Sequence, residues 1–151
     1  MPRVSLGLPV YNGERYLRFA LEPILAQTFS DFELVICDNA STDGTAELCH
    51  AYAARDSRIS VHRNPENLGA AKNYNKVFHL SQGEYFKWVS HDDVMAPAYL
   101  ERCVATLDAT PAVLCYPSTI VIDKDGHPLE TDPNDNITAN GRVPSERLRD
   151  F

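Results

Sequence analysis

Two adjacent carboxylates, Asp92 and Asp93, follow an apolar run that ends at Val89, with only Ser90 and His91 between them. This pattern is typical of a buried strand with acidic groups at its tip, and ligands of open α/β sheets bind beyond the carboxyl ends of strands. Mg²⁺ or Mn²⁺ is usually held there by one or two carboxylates together with phosphate oxygens. The pair therefore predicts a site for Mn²⁺ or Mg²⁺ and a phosphate group. The alternative is an acidic cap of the helix that follows Pro97.

Polar and aromatic residues also follow the other apolar runs, and we expect them to share one crevice with the carboxylates. The predicted site consists of Pro9, Tyr11, Asn12, Asp38, Asn39, Lys72, Asn73, Asp92 and Asp93. A tyrosine ring offers a flat face to a nucleobase, aspartate and asparagine offer hydrogen-bonding groups, and lysine offers a counter-charge to phosphate. Each residue alone is explained equally well by packing or by a turn. Their shared position at strand ends favours a nucleotide site.

The elements that must position these residues alternate between short apolar runs and amphipathic segments. Strands are predicted at Val4 to Val10, Phe32 to Cys37, Arg58 to His62, Glu84 to Val89 and Val113 to Tyr116. Helices are predicted between the strands, and such alternation implies an α/β fold with a doubly wound, mainly parallel sheet.

Three local features refine this prediction. Pro23 predicts a kink or a break near Glu22 in the first helix. Tyr74, Val77 and Phe78 are candidates for the core-facing side of the third helix. A hairpin is predicted between residues 118–122 and 127–130, because the Asp-Gly pair between them favours a tight turn.

The 151 residues, 44% of them hydrophobic, suit one folded domain over residues 1–130. Residues 131–151 lose all periodicity and predict a loop or the start of a further segment. The net charge of −7 and the lack of a basic tract argue against nucleic acid as a partner. Four separated cysteines without a Cys-x-x-Cys pair predict reduced core thiols. No signal peptide and no apolar run of about 18 residues is present, so we expect a cytoplasmic location, with peripheral membrane association left open.

The usual phosphate-binding glycine motifs are missing. No Gly-x-Gly-x-x-Gly follows the first strand, and no Gly-x-x-x-x-Gly-Lys-Ser/Thr occurs in the chain. An α/β fold with this alternation of strands and helices therefore needs another way to bind a diphosphate. Asp92 and Asp93 acting through a metal ion would provide it.

Six short motifs occur in an order that is specific as a set. They are Pro9-Val10-Tyr11-Asn12-Gly13, Ala26-Gln27-Thr28-Phe29, Phe32-Glu33-Leu34-Val35-Ile36, Asp38-Asn39-Ala40-Ser41-Thr42-Asp43-Gly44-Thr45, Asn67-Leu68-Gly69 and His91-Asp92-Asp93. Through them the chain resembles family 2 glycosyltransferases of the GT-A fold over roughly residues 3–122. The likeness is strongest to the nucleotide-diphospho-sugar transferases of spore-coat polysaccharide synthesis, with which it shares the run from Gln27 to Leu34.

The resemblance implies an inverting enzyme that transfers a sugar from a nucleotide-diphosphate sugar to a hydroxyl of a sugar or lipid-linked acceptor, in cell-surface polysaccharide or glycan synthesis. Tyr11 and the Asp38-Asn39 loop would hold the base and ribose. Asp92 and Asp93 stand at the position of the Asp-x-Asp motif, with Asp93 as the direct metal ligand. Many relatives carry Asp-Asp where this chain has Asp38-Asn39, which leaves the nucleobase open.

The catalytic base is the missing part of the resemblance. In inverting members a carboxylate base lies in a later acceptor-binding segment, and neither Glu146 nor Asp150 matches it. We therefore expect an N-terminal, donor-binding part of a GT-A domain that lacks the C-terminal acceptor segment. The alternatives are a non-catalytic nucleotide-binding fragment or half-domain, and an α/β interaction domain that binds no nucleotide.

Overall fold

The computed structural model describes residues 1–117, 119–123 and 126–129. Its elements in chain order are β1 (Val4–Val10), α1 (Glu14–Leu25), β2 (Phe32–Asp38), α2 (Thr45–Ala53), β3 (Ile59–Arg63), α3 (Ala70–Leu80), β4 (Tyr85–Trp88) and α4 (Tyr99–Ala109). The chain forms two compact units, Met1–Pro111 and Ala112–Phe151. All eight elements belong to the first unit.

The four strands form one parallel sheet in the order β3-β2-β1-β4. The chain proceeds outward from β1 through β2 to β3, then returns past both strands to place β4 on the other side of β1. The winding direction therefore reverses between β1 and β4. This reversal is the topological switch point, beyond which open α/β sheets bind their ligands.

Helices cover both faces of the sheet, which confirms the predicted doubly wound α/β class. Leu6 and Leu8 of β1 belong to a buried cluster with residues of α1, α2 and α4. Gly7 lies on the opposite face, where a Cβ atom would come within 2.2 Å of Val77 Cγ1 in α3. Because both faces are covered, β1 is buried along its whole length, as is typical of a parallel sheet.

Gln27 ties the end of α1 to the segment that follows Asp93. Its side chain is buried, its Nε2 donates to Ala96 O at 2.7 Å, and its Oε1 accepts the Leu100 N–H at 3.0 Å. The second contact satisfies a backbone donor in the first turn of α4, a role that a capping side chain usually has. Gln27 therefore fixes the course of the chain between the acidic pair and α4.

Two predictions about the helices are corrected by the structure. Of the kink or break predicted near Glu22, the break does not occur, because α1 continues to Leu25 with Pro23 inside it and the Ala26 N–H still bonds to Glu22 O, while the kink stays a prediction. Tyr74 and Phe78 are 41% and 49% exposed, whereas Val77 is buried as expected. The two aromatic rings extend over β4, an edge strand of the sheet, where they contact Trp88.

The fifth strand predicted at Val113 to Tyr116 is also wrong. Val113 is 98% exposed, and these residues pair with no described strand. The predicted hairpin is reduced to an isolated antiparallel bridge between Ile122 and Pro128, while residues 118, 124, 125 and 130 lie outside the described part. Residues 131–151 lie outside it too, so the boundary at 130 and the loop remain predictions. Within the described residues no helix is long and apolar enough to cross a membrane.

Candidate functional site

The loops that follow β1 and β4 meet at the switch point. Gly13 lies against the ring of His91, so that a Cβ atom on Gly13 would come within 2.8 Å of His91 Cδ2. The Val89 N–H bonds to Gly7 O at 2.8 Å and extends the pairing of the two strands by one step. The acidic pair Asp92 and Asp93 therefore leaves the sheet beside the loop that begins with Tyr11.

The loops that follow β1 and β2 are joined by hydrogen bonds in both directions. The Asn12 N–H donates to Ser41 Oγ at 2.9 Å, and Asn12 Oδ1 accepts the Thr42 N–H at 2.8 Å. The Gly13 N–H donates to Thr45 Oγ1 at 2.9 Å. These contacts hold Asn12 in the left-handed region, with φ of 51°. Asparagine tolerates that conformation better than most residues.

Asp38 is the last residue of β2 and is fully buried. Its Oδ1 accepts the Ser41 N–H at 3.0 Å, whereas its Oδ2 accepts no hydrogen bond from any described residue. The nearest cationic group is Arg63 Nε at 3.4 Å. Burial raises the pKa of the neighbouring Cys37 thiol to about 11, so this thiol is protonated near neutral pH.

Asn39 belongs to a buried network of amide side chains. Its Oδ1 accepts from Asn64 Nδ2 at 2.9 Å, and its Nδ2 donates to Asn67 Oδ1 at 2.8 Å. Asn64 also donates to Asn73 Oδ1 at 2.9 Å and accepts from Lys76 Nζ at 2.6 Å. The network connects the loops after β2 and β3 to α3, so it sets where the predicted base-binding loop lies.

The remaining predicted residues divide into exposed and buried ones. Lys72 in α3 and Asp93 are exposed and make no hydrogen bond or ion pair with other described residues. Asp92 is exposed, contacts Ser90 Oγ and lies 3.9 Å from His91 Nδ1. Pro9 is buried within β1, and its contribution is to the sheet.

A family model named Glycosyl transferase family 2 matches residues 5–148 of this sequence. The chain belongs to glycosyl transferase family 2. EpsE of Bacillus subtilis (strain 168) is 39% identical over 108 residues, which cover 71% of this chain and 39% of EpsE. The glycosyltransferase GlyG of Streptococcus pneumoniae serotype 4 is 34% identical over 98 residues, which cover 65% of this chain and 33% of GlyG. The chain thus spans about 40% or less of the length of these two relatives.

Solved glycosyltransferases share the fold. The structure of Staphylococcus aureus TarS 1-349 in complex with UDP matches 71% of this chain and 32% of that chain, with a TM-score of 0.67 and 28% identity. The mannosyltransferase PcManGT of Pyrobaculum calidifontis, in complex with GDP-Man and Mn²⁺, matches 68% of this chain and 31% of that chain, with a TM-score of 0.63 and 27% identity. The predicted GT-A fold is confirmed.

The structure brings most of the predicted family 2 site to one edge of the sheet. Tyr11, Asn12, Asp38, Asp92 and Asp93 all follow or end strands at the carboxyl edge, and Tyr11 is 46% exposed there. Asn73 instead turns inward, with its Nδ2 donating to a backbone carbonyl of β2 at 2.9 Å. Direct ligand contacts of all these residues remain predictions.

Sequence reasoning missed two residues that organise this edge, Arg63 and Asn64. They end β3 and begin the loop that follows it, so the same rule of strand ends would have found them. Arg63 and Asn64 form hydrogen bonds with the loop after β2, and Asn64 also bonds to α3. The Ser41 carbonyl, to which Arg63 donates, and the Asn39 side chain, to which Asn64 donates, lie 22 and 25 residues away, and no local pattern reveals such pairs.

The acidic pair fits a cation that takes most of its ligands from a substrate. Among the described residues no group of three or more His, Cys, Asp or Glu side chains gathers into a metal site. Two exposed carboxylates at the crevice are nevertheless the donor set by which proteins usually hold Mg²⁺ or Mn²⁺ together with phosphates and water. The free carboxylate of Asp93 suits the metal-ligand role predicted for it.

The catalytic base of a family 2 enzyme is not found among the described residues. Glu101 and Asp108 follow Asp93 on α4, but both are used within the fold. Glu101 accepts from Thr28 Oγ1 at 2.7 Å, and Asp108 pairs with Arg3. Asp123 accepts the His127 N–H at 2.9 Å in the second unit. Glu146 and Asp150 lie outside the described residues.

Proposed function

We propose that the crevice at the switch point binds a nucleotide-diphosphate sugar, and that the chain forms the donor-binding part of an inverting sugar transferase. The observation that carries this proposal is the contact between Gly13 and His91, which joins the loop of Tyr11 to the loop of Asp93. UDP, UDP-GlcNAc and GDP-Man are bound by proteins of similar fold. That range supports a nucleotide-sugar as the ligand and leaves its base open.

Each residue has a role suited to its chemistry. Tyr11 stacks on the nucleobase, Asp38 accepts a hydrogen bond from the base or ribose, and Lys72 offsets phosphate charge. Asp93, with Asp92 beside it, holds Mn²⁺ or Mg²⁺. When bound, such an ion supplies electrostatic stabilisation of the nucleoside diphosphate as the leaving group.

Transfer itself needs a base that takes the proton of the acceptor hydroxyl as its oxygen attacks C1 of the sugar and the bond from C1 to the diphosphate breaks. General bases typically accelerate such a step about 10²- to 10⁴-fold. No described residue is assigned to this role. We propose that this chain alone binds the donor and transfers its sugar slowly or not at all.

The proposal for the whole protein extends to synthesis of a cell-surface polysaccharide or glycan on a sugar or lipid-linked acceptor. Its location would be the cytoplasm, with contact to the membrane surface where a lipid-linked acceptor is used. The polysaccharide role is supported by a relative named for teichuronic acid biosynthesis, TuaG of Bacillus subtilis (strain 168), which is 31% identical over 129 residues and of which the chain covers 51%.

Asp93→Asn tests the metal part of this proposal. Nucleoside diphosphate at about 100 times its Kd adds about 2.7 kcal/mol to the free energy of unfolding, which corresponds to roughly 5 to 10 °C in Tm. For the wild type we expect this shift with UDP or GDP only when Mn²⁺ or Mg²⁺ is present. Asp93→Asn keeps the shape and removes the charge, so the metal-dependent part of the shift should disappear.

Asp31→Asn is the matched control, because it removes the same charge from an exposed residue just before β2, at the opposite edge of the sheet. It should keep the full shift. An Asp93→Asn variant that also keeps the shift would show that Asp93 is not the ligand and that the acidic pair only caps the following segment. A wild type that binds neither nucleotide would favour the interaction-domain alternative.

A further inference from the structure

One oxygen of the buried Asp38 carboxylate is not hydrogen-bonded by the fold. The Asp38 side chain is 1% exposed, and its Oδ2 accepts no hydrogen bond from the described residues. A buried carboxylate in this state is costly unless a cation compensates its charge. Arg63 Nε lies 3.4 Å from Oδ2, close enough for an ion pair but longer than an ordinary hydrogen bond.

Arg63 also contacts the loop that Asp38 orders. Its NH2 group donates to Ser41 O at 2.8 Å, while Asp38 Oδ1 accepts the Ser41 N–H. The backbone of Ser41 is therefore held on both sides by the two members of one ion pair. Ser41 Oγ in turn accepts the Asn12 N–H, so the same arrangement extends to the loop after β1.

We propose that Arg63 is a positioning residue for nucleotide binding, which acts through Asp38 and Ser41. The inference rests on the proposed function, since it assigns Asp38 to the nucleoside. Arg63 fixes the direction of the Asp38 carboxylate, so that Oδ2 is presented as an acceptor for an N–H or O–H group of the nucleoside. Arg63 itself lies at the rim, with 48% of its side chain exposed.

An ordinary surface ion pair would not have this effect. Exposed pairs contribute little because water and salt screen both charges. Here only the cation is at the surface, whereas the anion is buried and forms no ion pair with any other described residue. Removal of Arg63 would leave the carboxylate without its counter-charge and would free the carbonyl of Ser41, so both loops lose their alignment.

Arg63→Gln, Arg63→Lys and Asp38→Asn test the proposal by calorimetric titration of UDP and GDP in the presence of Mn²⁺. Arg63→Gln should raise the Kd of the nucleotide that the wild type prefers by about 10- to 100-fold, the range for loss of a hydrogen bond to a charged group. Arg63→Lys retains the charge but not the two-point geometry, so it should raise Kd by a smaller factor. Arg58→Gln is the control, because it removes the same charge near the start of β3, where Arg58 pairs with Asp56; its Kd should equal that of the wild type.

The double variant Asp38→Asn/Arg63→Gln distinguishes positioning from direct contact. If Arg63 acts through Asp38 and the Ser41 backbone that both residues hold, the two losses should be well below additive, and the Kd of the double variant should exceed that of Asp38→Asn by much less than the factor that Arg63→Gln causes alone. Additive losses would overturn the proposal in favour of a direct contact of Arg63 with the nucleotide. An unchanged Kd for Arg63→Gln would overturn it while the wild type still binds. A wild type that binds neither nucleotide would overturn the proposed function and this inference with it.

Discussion

Gly13→Ala places a methyl group where the loop after β1 contacts the loop after β4. The backbone of Gly13, with φ of −99° and ψ of 5°, is accessible to alanine, so the effect comes from contacts and not from backbone strain. The new Cβ would lie 2.6 Å from Val10 Cγ2 and 2.8 Å from His91 Cδ2. Val10 is fixed in the buried sheet, so the His91 ring and the acidic residues beyond it must move.

The size of the effect follows from these distances. The ring must shift by about 0.6 Å to reach an ordinary contact distance of 3.4 Å. Overpacking of this kind costs about 1 to 3 kcal/mol of unfolding free energy, or roughly 3 to 9 °C in Tm. Ligand sites require positions within about 0.5 Å, so we expect the Mn²⁺-dependent part of the nucleotide affinity to fall about 10-fold.

Thermal unfolding and titration with UDP or GDP, each with and without Mn²⁺, measure both effects. Gly44→Ala is the control, because its Cβ would meet Glu14 Oε1 at 2.5 Å, the end of a flexible exposed side chain. That side chain can turn away at the loss of one exposed hydrogen bond, which Glu14 Oε2 accepts from the Gly44 N–H at 2.9 Å. The control should lose less stability and keep its Mn²⁺ dependence. If Gly13→Ala binds nucleotide as the wild type does at unchanged Tm, the two loops are not coupled at this contact and the reasoning fails.

Three further substitutions test single residues, two through protein stability and one through nucleotide preference. Ala40 has φ of 60°, a conformation that costs an L-residue about 1–2 kcal/mol. Glycine removes this strain but adds chain entropy to the unfolded state, so Ala40→Gly should raise the unfolding free energy, measured in guanidinium, by roughly 0.5–1 kcal/mol. A lower unfolding free energy would contradict the strain. Gln27→Ala removes three hydrogen bonds of a buried side chain and should lower the unfolding free energy by about 1–3 kcal/mol. Gln82→Ala, at an exposed position, is the control. Asn39→Asp keeps an acceptor but loses the donor to Asn67. It should change the affinity ranking of UDP, TDP and GDP, and an identical ranking would count against a base contact.

The alternation of strands and helices is determined by the sequence alone. The strands Val4–Val10 and Phe32–Asp38 are predominantly apolar because both faces of a parallel sheet are covered, and that requirement is visible without coordinates. The carboxyl-edge rule then places Tyr11, Asp38 and Asp93 together, as the strand order confirms. These predictions succeed because they depend only on local pattern and chain direction.

Predictions that depended on which other strand or helix an element packs against were wrong in two places. Val113 to Tyr116 has the composition of a strand, but a strand forms only where another strand satisfies its backbone groups, and no described strand does so. Tyr74 and Phe78 lie on the apolar side of α3, yet that side extends over an edge strand and remains half exposed. Composition cannot show which face of a helix meets a covered part of the sheet.

The chemistry of the individual site residues was likewise decided by the tertiary structure. The sequence by itself determined that Asp38 and Asn39 lie at the carboxyl end of a strand, but not that one carboxylate oxygen lacks a donor or that the neighbouring amide is held by Asn64. Arg63 and Asn64 reach these groups from the end of β3, some 25 residues away in the case of Asn64. Hydrogen bonds and ion pairs act over about 3 Å in space, so only the folded chain shows which distant residues are brought within that range.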